Sequence, residues 1–164
     1  MIRDDERTTA QGLFNYARSF WQSAVALERS NLKEVTHPNA PITMLLCQAI
    51  ELYLKAFLRL KEGKVEGVGY LRRRYKAIAK DARKKGLPLC DHDLRVVKFL
   101  AATNAFLRPR RTETGNEKAL SPERISETCA NLDSLVARAL VEAGHTVMEP
   151  LDAASIRTQP IARS

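Results

Sequence analysis

Three histidines, three cysteines and one short polar strip are the places where this chain could do chemistry. His92 lies in Asp91-His92-Asp93-Leu94, between two carboxylates. Imidazole titrates near neutrality and a carboxylate can orient it, so His92 is a candidate acid or base. A histidine at a helix start is also a common structural feature. His37 sits in a turn beside Pro38, and His145 follows Gly144 at the end of a helical segment, where the helix dipole favours the imidazolium. Cys47, Cys90 and Cys129 are far apart and form no C-x-x-C pair. Zinc needs clustered ligands, and Cys90 with His92 is the one close pair. Three reduced thiols are the simpler reading, and neither a metal nor a cofactor is expected. Glu51 and Lys55 stand one turn apart, the favourable order for an ordinary side-chain pair. With Gln48 and Arg59 they could instead line a polar groove. The chain contains no nucleophile elbow, phosphate-cradling glycine loop, H-E-x-x-H or calcium loop.

Charge gives a stronger signal. Residues 70–111 hold 13 Lys and Arg against 3 Asp and Glu, a local +10 in a chain whose total is +8. The excess is therefore confined to this segment. A local positive field attracts polyanions by steering and counterion release. Arg72, Arg73, Arg74, Lys76, Lys80, Arg83 and Lys84 lie on one expected helix, with Arg108, Arg110 and Arg111 in the loop that follows the next. A solvated face that maintains solubility is the competing explanation. Binding at a membrane surface would want bulky apolar residues beside the bases, and the helix offers few.

Five segments with helical spacing must position these groups. The first spans about Thr9 to Ser30, with a capping-box spacing at Thr8-Thr9-Ala10-Gln11. Its apolar face reads Leu13, Ala17, Phe20, Trp21, Ala24 and Leu27, and Asn15, Arg18, Gln22 and Arg29 fall opposite. Pro38 and Pro41 break the pattern. The second, about Ile42 to Glu62, is apolar around two thirds of its circumference and reads as the central helix of a bundle. The third, about Tyr70 to Lys85, has a thin apolar stripe of Leu71, Tyr75, Ile78 and Ala82. The fourth runs from about Asp91, its expected N-cap, to Phe106. The fifth starts at Ser121-Pro122 and runs to about Ala143, before Gly144.

With 164 residues the chain has the length of about one domain. The expected architecture is all-α, an antiparallel up-and-down bundle of four to five helices over residues 1–145, with a loosely held tail over 146–164. An apolar share of 45% argues against disorder, and the cysteine count against a disulfide scaffold. No stretch reads as a membrane span or a leader, so the chain reads as soluble and cytoplasmic.

The run Leu45-Leu46-Cys47-Gln48-Ala49-Ile50-Glu51-Leu52-Tyr53-Leu54-Lys55-Ala56-Phe57-Leu58 resembles the central helix of HEPN-type domains (higher eukaryote and prokaryote nucleotide-binding). In that family the helix precedes a glycine turn and a His-Asp-Leu segment. Here Asp91-His92-Asp93-Leu94 matches the segment by letter. Gly69-Tyr70-Leu71 matches it by distance, which would put Tyr70 beside Gln48, Glu51 and Lys55 in the groove. The resemblance covers about Thr43 to Leu140. It implies a helical bundle that often pairs with a second copy. It also implies either a metal-independent RNase, as in many toxins, or a module that binds RNA, a nucleotide or a small nucleotidyltransferase partner. The nuclease members carry an Arg, four to six intervening residues and then His, a spacing met here by Arg138 and His145 alone, with six residues between them. Ala139 follows that Arg where the family has a polar residue, and Gly144 intervenes before the histidine. The reading therefore leans to a non-catalytic member, with an RNase using Arg138 and His145, or His92, as the alternative. A pure interaction module, dimerising through the second and fifth helices, is a third reading.

Overall fold

The computed structural model describes residues 8–30, 37, 39–63, 75–102 and 120–148. Five helices account for most of them, and no strand occurs among the described residues: α1 (Ala10–Ser30), α2 (Asn39–Glu62), α3 (Tyr75–Lys84), α4 (Asp91–Ala102) and α5 (Pro122–Glu142). The chain is an all-α helical bundle. α2 is its axis: α1, α3 and α5 all pack on it, while α4 packs on α3 and α5. Ile50, Tyr53, Leu54, Ala56 and Leu58 of α2 are fully buried. α2 is long and apolar enough to cross a membrane by length and composition, which the sequence reading did not recognise, and 67% of its apolar window is buried inside the bundle.

Helix ends follow local chemistry, in places one residue away from the expected positions. The Thr9 hydroxyl, not Thr8, accepts the Gly12 amide at 2.9 Å and caps α1. Gln11 is not part of that cap; its side-chain amide reaches the Thr146 carbonyl. α2 begins at Asn39, so Pro41 lies within the first turn. Its missing N–H costs nothing there, because first-turn amides have no intrahelical partner. The N-cap of α4 is Cys90 rather than Asp91. The Cys90 carbonyl accepts the Leu94 amide, and the Cys90 amide is held by the Asp93 carboxylate at 3.2 Å. Ser121 flanks α5 in an extended conformation before Pro122 but makes no side-chain cap bond.

α3 and α5 stop in the same way. Gly86 (φ 97°) and Gly144 (φ 87°) take the left-handed conformation. The next amides reach back to close the turn, Leu87 to Ala82 at 3.0 Å and His145 to Leu140 at 3.0 Å. Leu87 and Ala82 are both buried, which supplies the apolar contact that accompanies this motif.

The inward face of α1 keeps Ala17, Trp21 and Ala24 of the expected stripe and is rotated toward Ala10, Phe14 and Val25. Ala10, Phe14, Ala17, Trp21, Ala24 and Val25 are buried, whereas Leu13, Phe20 and Leu27 pack against the core only in part. Arg18, expected opposite the core, is buried. Its guanidinium lies 4.4 Å from the Phe14 ring centroid and donates to both Asp133 oxygens, at 2.7 and 2.9 Å. Tyr53 donates to the same carboxylate at 2.8 Å. Trp21 donates to the Ser126 hydroxyl at 2.9 Å. These contacts fix α1 antiparallel to α5, since Gln11, Arg18 and Trp21 meet Thr146, Asp133 and Ser126 in turn.

Candidate nucleic-acid interface

α3 and α4 carry the described part of the basic segment. Ile78, Ala79 and Ala82 face the core from α3, and Asp93, Val96, Val97 and Leu100 face it from α4. At 100° per residue the opposite face of α3 holds Lys80 and Lys84, with Arg83 on its flank, and that of α4 holds Arg95 and Lys98. All five are exposed. Among the described residues none of the five takes part in an ion pair or side-chain hydrogen bond, whereas their neighbour Lys85 lies 3.1 Å from Glu62. With Asp81 half-buried on α3 and Asp91 exposed at the start of α4, the pair still presents an excess of positive charge on its outward side. Such charge is poorly screened by the protein and available to a polyanion.

Lys76 lies within α3. Arg72, Arg73, Arg74, Arg108, Arg110, Arg111 and Tyr70 lie outside the described residues, so the expected register of Tyr70 and its place in the groove also fall outside them. Arg95 and Lys98 were part of the charge count but not among the residues singled out. Their signal was the i, i+3 spacing opposite Val96, Val97 and Leu100.

The candidate catalytic residues lie on α4, on α5 and just beyond the end of α5. Arg138 is exposed on α5. His145 stands half-buried beyond the reversal at Gly144, held there by its backbone bond to Leu140. The two share no hydrogen bond. His92 packs on an earlier part of α5, with Nε2 at 3.3 Å from the Arg124 carbonyl and 3.6 Å from a Glu127 oxygen. Eleven residues separate Glu127 from Arg138, about 16 Å along a helix. His92 is thus a surface contact between α4 and α5 and does not share a centre with Arg138.

The strip on α2 is more closed than a groove. Glu51 and Lys55 are 9% and 6% exposed, and the ammonium donates to the carboxylate within the helix. Gln48 and Arg59 beside them are half-buried. Two buried opposite charges that satisfy one another need no ligand.

Two polar clusters were not foreseen. The first is Arg18–Asp133–Tyr53, where Asp133 is fully buried. It is packed by Phe14, with Tyr53 and Phe14 edge to face at 5.7 Å. Arg18 also donates to the Met148 carbonyl at 3.3 Å. Thr146 and Met148, expected in a loose tail, are thereby tied to α1; residues 149–164 lie outside the described set. The second joins α4 to α5: Asp93 accepts from the Asn131 amide and from the Cys90 thiol at 3.1 Å. Cys90 is exposed, and Cys47 and Cys129 are buried. Burial, with Glu51 nearby, pushes the Cys47 thiol up to about 12. Burial foremost also raises Cys129 and the Tyr53 phenol, which Asp133 pushes further. These groups stay protonated at neutral pH and hold the bundle together. Among the described residues no cluster of His, Cys, Asp and Glu could hold a metal ion.

Comparison with family models, curated proteins and solved structures returned no match for this chain.

Proposed function

We propose that this protein is a HEPN-like antiparallel helical module that binds RNA, or a partner carrying a nucleotide, through α3, α4 and their flanks (residues 70–111), without cleaving it. The observation that carries the reading is the set of exposed, unpaired cations Lys80, Arg83, Lys84, Arg95 and Lys98 on two adjoining helices. The resemblance of the Glu51-Leu52-Tyr53-Leu54-Lys55-Ala56 run to the HEPN central helix adds to it. On this reading the chain works in the cytoplasm, and a small nucleotidyltransferase or an antitoxin is the protein partner to seek. RNase activity through Arg138 and His145 is the alternative, disfavoured by the Gly144 reversal between them.

Incubating the protein with generic RNA in EDTA at low salt tests both. Retention of intact RNA on a filter supports the proposal, and no retention ends it. Cleavage that disappears in His145→Ala would establish the RNase reading instead.

A second reading, a homodimerising interaction module, is favoured by one observation. Leu13, Phe20 and Leu27 form a half-buried row on α1 beside Tyr16, which is 67% exposed. Leu45 and Leu52 are half-buried on α2. Leu45 and Leu52, with Val141 exposed on α5, belong to the second-and-fifth-helix surface expected from the sequence, and the α1 row adds to it. A dimer in light scattering that Phe20→Glu converts to monomer would support it.

A further inference from the structure

We infer that the α3–α4 surface takes the phosphate backbone of duplex nucleic acid and is indifferent to base sequence, an inference that rests on the polyanion reading above. The argument comes from what the outward faces hold and what they lack. Lys80 and Lys84 leave α3 on the side opposite Ile78, Ala79 and Ala82, with Arg83 on the flank, and Arg95 and Lys98 leave α4 opposite Val96, Val97 and Leu100. α3 and α4 pack on one another, so the two sets of cations stand on neighbouring helices. Within each helix the cations recur at intervals of one turn, about 5 Å. The axes of packed helices lie about 8–10 Å apart, so the two sets of cations belong to neighbouring rods. Such a grid meets phosphates along a backbone rather than a single point charge.

Reading bases requires other groups. Single strands are held by aromatic platforms on which bases stack. The large apolar side chains exposed among the described residues are Tyr16, Val141 and Met148, none of them on α3 or α4. Base edges are read in large part by Asn and Gln amides, by hydroxyls, or by Arg held in a groove. α3 and α4 contain no Asn, Gln, Ser or Thr. Among the described exposed side chains of the two helices, none offers a stacking platform that would compensate a single strand for its lost flexibility. A duplex is already ordered and presents about one charge per 1.7 Å of axis in the case of DNA.

The experiment compares four probes of equal length by fluorescence anisotropy: two RNA duplexes of unrelated sequence, a DNA duplex and one mixed-sequence RNA single strand. The expected result is equal binding of the two RNA duplexes, with the single strand about 10-fold weaker or more, as the loss of stacking contacts implies. The DNA duplex separates the shared backbone from the RNA form. Binding within a few-fold of the RNA duplexes supports pure backbone recognition, and no binding of DNA would overturn it. Five phosphate contacts would lower duplex affinity by about 500-fold between 50 and 200 mM salt, and Arg95→Ala with Lys98→Ala would shrink that span to about 40-fold. Tighter binding of the single strand, or a preference between the two RNA duplexes, would overturn this inference while leaving the polyanion reading intact. No binding of any probe at low salt would overturn both. An unchanged salt response in the Arg95/Lys98 variant, with folding verified by circular dichroism, would remove α4 from the surface.

Discussion

Asp133 is the side chain on which the largest single stability effect should be measured. It is fully buried, takes both guanidinium bonds of Arg18 and accepts the Tyr53 hydroxyl. Replacing it by Ala strands a buried cation and a buried phenol. The expected loss in urea unfolding is about 3–5 kcal/mol, the usual range for breaking one side of a buried pair. Leu in place of both Arg18 and Asp133 should cost less than Asp133→Ala alone, since it removes both charges together. The thiols supply a pH signature. Cys47 is raised from an ordinary value near 9 to about 12 in the folded chain. Above pH 9 the unfolded chain gives up that proton while the folded chain keeps it. Stability is therefore fully present below pH 9 and falls as pH rises toward 12, by about 1.4 kcal/mol per pH unit for this group. Cys129 and Tyr53 act in the same direction. Cys47→Ala should flatten the fall between pH 9 and 11 without abolishing it. None of this was legible in the sequence. Arg18 and Asp133 are 115 positions apart, and a charged residue on an amphipathic helix reads as solvent-facing until its partner helix is known.

At the scale of elements, legibility was good where local chemistry decides and poor where neighbours do. Five helices, the central burial of α2 and the glycine stops after α3 and α5 follow from spacing and from residues that tolerate positive φ. The rotation of α1 does not. Leu13, Phe20 and Leu27 make as good a stripe as Phe14, Trp21 and Val25. The choice fell to the second set because Trp21 and Arg18 find Ser126 and Asp133 on α5. The Glu51–Lys55 strip reads as a groove by itself and becomes a closed pair once neighbouring helices cover α2. Element ends offer their own test. A Cβ at Gly86 would meet no atom within 4 Å, so Gly86→Ala is strained only by its φ of 97°. It should cost about 1 kcal/mol in chemical denaturation. The basic face should behave in the opposite way. Lys80, Arg83 and Lys84 are exposed and unpaired, so their joint replacement by Ala should move stability by no more than about 0.5 kcal/mol per site.

At the scale of the whole molecule, an uneven charge distribution sits on an otherwise ordinary core. Polar groups that could have formed a catalytic centre are spread out or enclosed. His92 leans on α5, His145 lies beyond its end, Arg138 faces water, and Asp133 and Glu51 are neutralised inside. What the α3–α4 hairpin presents outward is a set of exposed cations that make no ion pair among the described residues. A module of this kind is expected to lose affinity steeply with salt, because each phosphate contact releases a condensed counterion. The most direct test is a salt titration of binding to a short RNA duplex, comparing the wild-type chain with the Lys80/Arg83/Lys84→Ala variant. The account predicts that the variant, folded and as stable as wild type, binds about 10-fold or more weakly at 50 mM salt and shows a shallower dependence on salt. Equal affinity and equal salt dependence of the two proteins would contradict it.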